Sequence, residues 1–302
     1  MERLLVIGVA SVDRLHLEDR TVESPGGAGI YTAMAARRCG AQVALYGPRP
    51  DPCPEHLKPV AGRLTEWLGP VVAPAKLPRF EISYRKGKTE YLQASLDGEV
   101  MGSPTMLPAD LSRYDCVHVC ALAANADLQL SFVQACRQRG AAQISAGTSP
   151  VAVAESPQVV GAMMELADTF FMNDLEAETV FGSLEAARTA PGKVLYVTLG
   201  AQGACIIQGD TFTSIPAVPT TVLDPTGAGD TFCGATLAYL LQKKHPVMAA
   251  RYAVPLAAEM IAHVGPTALL SEDLPPEAPL DARVQVNDGQ VRQVAEKVST
   301  LS

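Results

Sequence analysis

The sequence lacks several features that would place it at once in a familiar class of protein. Positive charge is scarce, because 24 Lys and Arg stand against 32 Asp and Glu and give a formal net charge of −8 at pH 7. A chain with this balance offers no basic surface to nucleic acid or to an anionic membrane. We therefore expect neither as a partner, and an anionic substrate would need a local cluster of positive groups.

Long apolar runs and paired cysteines are also missing. No stretch approaches the roughly 20 apolar residues of a membrane-spanning helix. The apolar run near the N-terminus is soon followed by Asp13 and Arg14, so it is too short for the core of a signal peptide. Seven cysteines, an odd number without the spacing of a secreted scaffold, suit a reducing compartment. We expect a soluble cytoplasmic protein.

Two common nucleotide-binding patterns are absent as well. After the first apolar run the chain continues Gly-Val-Ala-Ser-Val-Asp, without the G-x-G-x-x-G pattern of a dinucleotide-binding fold. Gly87-Lys88-Thr89 resembles the end of a P-loop, but Ile82 stands where that loop requires its first glycine. A Rossmann dehydrogenase and a P-loop enzyme are both disfavoured.

Strand-like and helix-like segments alternate along most of the chain. Short continuous apolar runs are typical of strands buried on both faces of a sheet. The alternation predicts one α/β domain over residues 1–302, with a doubly wound, mostly parallel sheet flanked by helices. The predicted strands are Leu4 to Val9, Ala41 to Tyr46, Cys116 to Leu122, Ala142 to Ala146, Thr169 to Met172, Val194 to Leu199, Ala204 to Gln208 and Thr211 to Ile215. The predicted helices lie between Gly27 and Gly40 and at Glu55 to Leu68, Asp127 to Arg139, Pro157 to Leu166, Leu175 to Phe181, Asp230 to Gln242 and Pro246 to His263.

The segment Phe80 to Leu96 has a different character. Polar and apolar residues alternate in it, Ile, Tyr and Thr are frequent, and a Lys-Gly pair interrupts it near the middle. This pattern predicts a β-hairpin that stands apart from the main sheet. A second hairpin is predicted near the C-terminus, turned at Asn287-Asp288-Gly289.

The segment DPTGAGDTFCGATLAYLL, from Asp224 to Leu241, carries the most chemical information. A proline and two glycines disfavour a helix before Asp230, and apolar helical periodicity follows that residue. A glycine-rich turn that leads into a helix presents unpaired backbone N–H groups at the positive end of the helix dipole. Such a turn suits a phosphoryl group in transfer.

Asp230 lies in this turn, where a carboxylate would repel a phosphate. One explanation is structural, because Asp is a favoured N-cap of a helix. The other is catalytic, since a carboxylate can accept a proton from an attacking hydroxyl while neighbouring amides stabilise the phosphoryl group. Local chemistry alone leaves both explanations open.

Four segments in the same order resemble those of the ribokinase-like carbohydrate kinases, the PfkB family. The run Asp224 to Asp230 is similar to the family pattern Asp-x-Thr-Gly-Ala-Gly-Asp at every defined position. Gly26-Gly27 before a helix resembles the N-terminal glycine signature, Asn173 to Glu176 resembles the Asn-x-x-Glu, and Thr198 to Ala204 is similar to the nucleotide-site turn. The resemblance implies a ribokinase-like kinase that uses ATP and Mg²⁺.

The resemblance also implies a role for each matching residue. Asp230 would be the base toward a hydroxyl, a primary alcohol of a sugar or sugar-like molecule, and the amides of Gly227, Ala228 and Gly229 would bind the moving phosphoryl group. The residues implied at the other subsites are Asp13, Gly26, Gly27 and Tyr31 for the acceptor, Asn173, Glu176, Thr198, Gly200 and Gly203 for the nucleotide, Glu176 for Mg²⁺ through water, and Asp224 with Thr226 for a monovalent cation such as K⁺. Segments near 12–22 and 79–97 would form a β-lid, through which two copies could pair as a homodimer.

One departure from the family concerns the acceptor. The first family signature carries a sugar-binding asparagine where this chain has Tyr31. A tyrosine offers a hydroxyl and also a flat apolar face that suits a ring. A sugar kinase, a nucleoside kinase of the same fold and a non-catalytic ligand-binding relative therefore stay open. Retention of Asp230 disfavours the last, because binding alone does not require a base.

Two other clusters have a simpler structural explanation. Cys116, His118 and Cys120 lie on one face of a predicted strand, but free cysteine commonly fills a core and a zinc site needs a fourth ligand. Arg37 and Arg38 are predicted to lie on a solvated face of the first helix rather than at the substrate.

Overall fold

The computed structural model describes residues 2–85, 88–95, 102–122, 125–277, 285–287 and 291–292. In chain order the strands are β1 Arg3–Ile7, β2 Ser11–His16, β3 Thr21–Gly26, β4 Gln42–Tyr46, β5 Arg49–Pro50, β6 Glu66–Leu68, β7 Val71–Val72, β8 Arg79–Arg85, β9 Lys88–Ser95, β10 Cys116–Val119, β11 Ile144–Gly147, β12 Thr169–Asn173, β13 Val194–Thr198, β14 Ala204–Gln208, β15 Thr211–Ile215, β16 Gln285–Asn287 and β17 Val291–Arg292. The α-helices are α1 Ala28–Arg38, α2 Lys58–Ala61, α3 Ala126–Gln138, α4 Pro150–Glu155, α5 Pro157–Leu166, α6 Asp174–Phe181, α7 Ala228–Leu241 and α8 Pro246–Ile261.

Within the described residues, the main sheet has 11 strands in the order β17-β16-β15-β14-β13-β12-β11-β10-β1-β4-β6. The strands from β6 to β13 pair in parallel, and those from β13 to β17 pair antiparallel. The predicted α/β class with a mostly parallel, doubly wound sheet is confirmed. The chain runs outward from β1 to β4 and β6 and then returns to β10, so the crevice between the carboxyl ends of β1 and β10 is a topological switch point.

Both faces of the main sheet are covered by apolar side chains. In β1, Leu4 and Val6 pack with residues of α1, α7 and α8, whereas Leu5 and Ile7 pack on the opposite face with residues of α3, α4 and α5. All four side chains are fully buried, which explains why the strand is a continuous apolar run. Each such burial stabilises the fold by about 1.5–3 kcal/mol.

A second sheet, which we call the lid sheet, has the order β3-β2-β8-β9. The predicted hairpin from Phe80 is confirmed by the antiparallel pairing of β8 with β9, while the central Lys-Gly turn and residues 96–97 lie outside the described residues. Parallel pairing of β2 with β8 joins the two predicted lid segments. A small core of Leu15, Leu17, Ile82 and Tyr84 holds the sheet together.

The predicted helix over Glu55 to Leu68 is wrong. The segment forms a short 3₁₀ turn, the single turn of α2 and then strand β6, which pairs with β4. Gly62 ends α2, and the Thr65 hydroxyl donates to the Val43 carbonyl at 3.0 Å. Pairing with the edge of the sheet outweighs the local helical preference, as tertiary context commonly does. Helix α4, capped by Ser149, has no counterpart among the predicted helices.

The remaining element predictions agree with the structure. The predicted C-terminal hairpin is present as β16 and β17, although residues 288–290 of its turn are not among those described. None of the described helices combines the length and apolar character that crossing a lipid bilayer requires.

Candidate active site

The segment 224–230, which we call the catalytic loop, leads into α7. The helix begins at Ala228, and its N-cap is Gly227 with a left-handed φ of 77°. Asp230 is therefore the third residue of the helix, and the alternative that it serves as the N-cap is wrong. A glycine is needed at the cap because other residues rarely adopt this conformation. The first-turn amides lack partners within the helix and lie at the positive end of its dipole.

Tyr31 lies beneath the catalytic loop. A Cβ atom at Gly227 would approach the Tyr31 ring to 2.4 Å, and Tyr31 is 2% exposed. One face of the ring is therefore covered by the loop itself, and a ligand cannot stack on that face. Tyr31, which stands where the family signature has an asparagine, therefore packs against the catalytic loop from below.

Asp230 lines a cavity of about 220 Å³, which we call the carboxylate cavity. The cavity brings together predicted residues from separate segments of the chain, namely Asn173, Glu176, Thr198, Gly229 and Asp230. Burial raises the pKa of Asp230 to about 6. A carboxylate with this pKa can both accept a proton near neutral pH and release it again.

Asn173 and Glu176 form a capping box at the start of α6. The Asn173 Oδ1 accepts from the Glu176 N–H at 2.8 Å, and the Glu176 Oε2 accepts from the Asn173 N–H at 2.9 Å. Burial raises the pKa of Glu176 to about 7, although the bond from Asn173 opposes the shift. The Asn-x-x-Glu pattern thus has a structural role, and it also fixes a carboxyl group in the cavity that Asp230 lines.

A second cavity of about 500 Å³, which we call the apolar cavity, adjoins the first. The predicted nucleotide residues Thr198, Gly200 and Gly203 line it. Gly203 has φ 102°, and a Cβ atom there would lie 2.0 Å from the Ile215 carbonyl oxygen, so only glycine fits. Thr198 and Gly229 line both cavities, which therefore meet at these two residues.

Most of the apolar lining was not predicted from the sequence. It comes from α8 and from the segment before the catalytic loop, and includes Val218, Val222, Val254, Ala257 and Ile261. Apolar residues at helical spacing predict burial, and no local signal separates those that line a cavity from those that fill a core.

The other predicted acceptor residues, apart from Tyr31, are Asp13, Gly26 and Gly27, and they lie together. The Ser11 hydroxyl donates to Asp13 Oδ1 at 2.7 Å, and a Cβ atom at Gly26 would lie 1.8 Å from the other carboxylate oxygen. Burial raises the pKa of Asp13 to about 7 against the effect of the Ser11 bond. Gly27 is the N-cap of α1 with φ 89°, which lets the helix begin close to the end of β1.

The predicted cation residues make hydrogen bonds within the chain. Asp224 is fully buried, and its two carboxylate oxygens accept from the N–H groups of Thr226 at 3.0 Å and Gly265 at 2.8 Å. The Thr226 hydroxyl lies 2.5 Å from that of Tyr84 on the lid sheet. Both side chains therefore hold the loop in place, and monovalent cation binding by them stays a prediction.

The cysteine–histidine cluster is buried, and two of its members, His118 and Cys120, also line the carboxylate cavity. His118 is hydrogen-bonded through Nδ1 to the Ser145 hydroxyl at 2.9 Å, and its Nε2 lies 3.5 Å from the Cys233 sulfur. Burial lowers the pKa of His118 to about 3, so the ring is neutral. Over the described part of the chain, no three His, Cys, Asp or Glu side chains come together as a metal site.

Arg38 corrects another expectation. Its side chain is 3% exposed and pairs with Glu259 on α8 at 3.0 Å, so the prediction of a solvated face is wrong for this residue. The ion pair ties α1 to α8, and neither of its residues lines the two cavities. Thr148, which the sequence did not single out, lines the carboxylate cavity with a buried hydroxyl that has no hydrogen-bond partner.

Comparisons with known proteins agree with this architecture. The chain is 25% identical over 247 residues to a cytidine kinase of Thermococcus kodakarensis, covering 78% of this chain and 87% of that protein. Its fold is similar to a ribokinase of Cryptococcus neoformans in complex with ADP, at TM-score 0.72 and 20% identity, covering 89% and 97% of the two chains. It is also similar to a nucleoside kinase of Burkholderia thailandensis in complex with inosine, at TM-score 0.71 and 19% identity, covering 91% and 95%.

The doubly wound main sheet, the glycine-capped α7 and the separate lid sheet place the chain in the ribokinase-like fold class. Within that class, the family model of the pfkB family carbohydrate kinases matches residues 103–273 of this chain. The chain belongs to this family.

Proposed function

We propose that this protein transfers the γ-phosphoryl group of ATP to a primary hydroxyl of a sugar or sugar-like molecule, with Asp230 as the base. The observation that carries the proposal is the junction of the two cavities at Thr198 and Gly229, directly beside Asp230. A nucleotide in the apolar cavity would direct its phosphates through this junction toward the carboxylate. A non-catalytic relative would have no need of a base at that point.

The reaction follows from the chemistry of the loop. Asp230 accepts the proton as the acceptor O–H bond breaks, the acceptor oxygen bonds to the γ-phosphorus, and the bond from that phosphorus to the bridging oxygen of ADP breaks. The amides of Gly227, Ala228 and Gly229 stabilise the charge on the moving group. The Ala228 N–H also donates to the Pro225 carbonyl at 3.3 Å, so the less constrained amides would contribute most.

Magnesium fits the donor set of the carboxylate cavity. Burial holds the pKa of Glu176 near 7, so a nearby cation would favour its ionised form. Asn173 fixes the orientation of that carboxyl group, and a water-mediated contact with Mg²⁺ is the role we assign to Glu176. When bound, the ion would neutralise phosphate charge.

The acceptor would bind beside Asp13, Gly26 and Gly27, under the lid sheet. Because burial raises the pKa of Asp13 to about 7, its carboxylate can accept from sugar hydroxyls and its protonated form can donate to them. A nucleoside is the second candidate acceptor, and the similarity to a cytidine kinase favours it. Since the Tyr31 ring is buried under the loop, a nucleoside base would have to be held by other groups.

The lid sheet would exclude water from the acceptor. Among the described residues, its outer strand β9 pairs along one edge only, with β8, and Leu92 of this strand is exposed. A second copy could add there and form the homodimer that the family resemblance permits. Light scattering of the purified protein tests this, with a dimer mass as the expected result.

The decisive test is ADP release with ATP and Mg²⁺ across a panel of sugars, sugar acids and nucleosides. We expect acceptor-dependent release with one chemical class, and a phosphate ester on a primary carbon of the product by ³¹P NMR. Reactions without acceptor, or with the metal chelated, are the controls. ATP binding without release for any acceptor would favour the non-catalytic alternative.

A further inference from the structure

The lid sheet and the catalytic loop meet at a hydrogen bond between residues 142 positions apart in the chain. The Tyr84 hydroxyl, on β8, lies 2.5 Å from Thr226 Oγ1. Tyr84 is 8% exposed, and its side chain packs with Leu15, Leu17 and Ile82 in the lid core. Because the ring belongs to the lid and the hydroxyl is bonded to the loop, displacement of the lid would break this bond.

Thr226 connects this contact to Asp224, the buried residue at the start of the catalytic loop. Its backbone N–H donates to Asp224, which accepts a second bond from the Gly265 N–H. Asp224 is fully buried, so these bonds are shielded from water and are stronger than exposed ones. The turn that leads into Gly227 is thus held by a chain of hydrogen bonds that begins on the lid.

The lid sheet also contacts Gly265, which lies at the other end of this series of hydrogen bonds. A Cβ atom at Gly265 would lie 2.0 Å from the Ser24 hydroxyl on β3. Val264 packs against the lid core. The lid sheet therefore touches both ends of the series Thr226, Asp224 and Gly265, and it cannot move as a unit without disturbing the loop.

We propose that Tyr84 is a positioning residue whose hydrogen bond to Thr226 couples the seating of the lid to the geometry of the catalytic loop. Its catalytic consequence rests on the proposed function. With the lid seated, Thr226 fixes the turn before Gly227 and aims the amides that receive the phosphoryl group. With the lid displaced, the loop loses this support, which disfavours transfer to water before the acceptor is enclosed.

The test uses Tyr84→Phe, Thr226→Val and the double variant in the full-length protein. Thr226→Ser keeps the hydroxyl, so hydrogen–deuterium exchange of β8 and of the catalytic loop should stay at the wild-type rate in this variant. Tyr114→Phe is the matched control, because it removes another buried tyrosine hydroxyl, one bonded to Arg113 at 2.6 Å. Hydrogen–deuterium exchange of β8 and of residues 224–230, without ligands, reports the coupling whether or not the acceptor is known.

We expect faster exchange in both β8 and the catalytic loop for either single variant, and no further increase in the double variant. Each single variant should lower kcat/KM for the acceptor about tenfold, the scale of one buried hydrogen bond, and raise the ratio of ADP released to acceptor phosphorylated. Unchanged exchange, faster exchange in the lid alone, or additive effects would overturn the coupling. Failure of the proposed function is recognised separately, as a wild type without acceptor-dependent ADP release.

Discussion

The two cavities at the carboxyl edge of the main sheet differ in chemistry although they share Thr198 and Gly229. The apolar cavity, about 500 Å³, is lined mainly by aliphatic side chains, and burial of a ligand in it is favourable without directional contacts. The carboxylate cavity, about 220 Å³, holds Glu176 and Asp230 with raised pKa values. Changes in the first cavity should therefore alter nucleotide affinity, and changes in the second should alter turnover.

The largest effect is expected in the catalytic loop, two residues before Gly229 of the carboxylate cavity. Gly227→Ala forces a Cβ atom to within 2.4 Å of the Tyr31 ring at φ 77°, which displaces the amides that face the phosphoryl group. We expect kcat to fall about 10²- to 10³-fold, as for loss of an oxyanion donor, with ATP affinity little changed.

Gly140→Ala is the matched control for that variant. Gly140 has the same φ of 77°, but a Cβ atom there meets nothing within 4 Å. The two substitutions introduce similar backbone strain, so a comparable loss of activity in both would assign the effect to strain and not to the catalytic loop.

In the apolar cavity, Ala257→Phe should fill space that the nucleotide needs. We expect KM for ATP to rise about tenfold or more, because several buried apolar contacts are lost, while KM for the acceptor stays within about twofold. Met248→Phe, on the same helix and outside the lining, controls for helix perturbation. Equal changes in both KM values would contradict the division between the cavities.

The pH dependence of kcat/KM for ATP, at saturating acceptor, should reflect only the carboxylate cavity. Both carboxyl groups act in the ionised form, and burial raises their pKa values to about 6 for Asp230 and about 7 for Glu176. Activity should therefore decline below about pH 7 and fall further below about pH 6, by about tenfold per unit for each group. Glu176→Gln, which can keep the capping bond, should remove the upper step, and a flat profile from pH 5 to 8 would contradict this account.

A further prediction concerns stability, not activity, and rests on Asp13. Burial raises its folded pKa from 3.8 to about 7, so the folded state binds the proton more tightly than the unfolded state and stability decreases as pH rises through this window. Asp13→Asn should raise the free energy of unfolding at pH 8 by about 1–4 kcal/mol, and by much less at pH 4, in urea titrations. The exposed Asp19→Asn is the control, and equal effects at both pH values would refute the assignment.

The parts of this site that the sequence predicts are those with a local physical cause. The run Asp224 to Asp230 combines a glycine-rich turn, a helix start and a carboxylate within seven positions, and Asn173 with Glu176 has the spacing of a capping box. The continuous apolar runs likewise predict the strands, because burial on both faces removes alternation.

The parts that could not be predicted depend on contacts between distant segments. Strand β6 replaces a predicted helix because β4 offers it an edge. The lining from α8 resembles ordinary core, and no local pattern pairs Tyr84 with Thr226, which lies 142 positions further along the chain. Tyr31 is a further case. Its residue type suggests contact with a ligand, whereas in the structure its ring packs against Gly227 of the catalytic loop.

The most direct test of the central claim is the turnover of Asp230→Asn at saturating ATP, Mg²⁺ and acceptor, measured beside its dissociation constant for ATP. The substitution keeps size and removes the ability to accept a proton. We predict that kcat falls about 10²- to 10⁴-fold while ATP affinity stays within about twofold of the wild type. Near-normal turnover in this variant would contradict the assignment of Asp230 as the base.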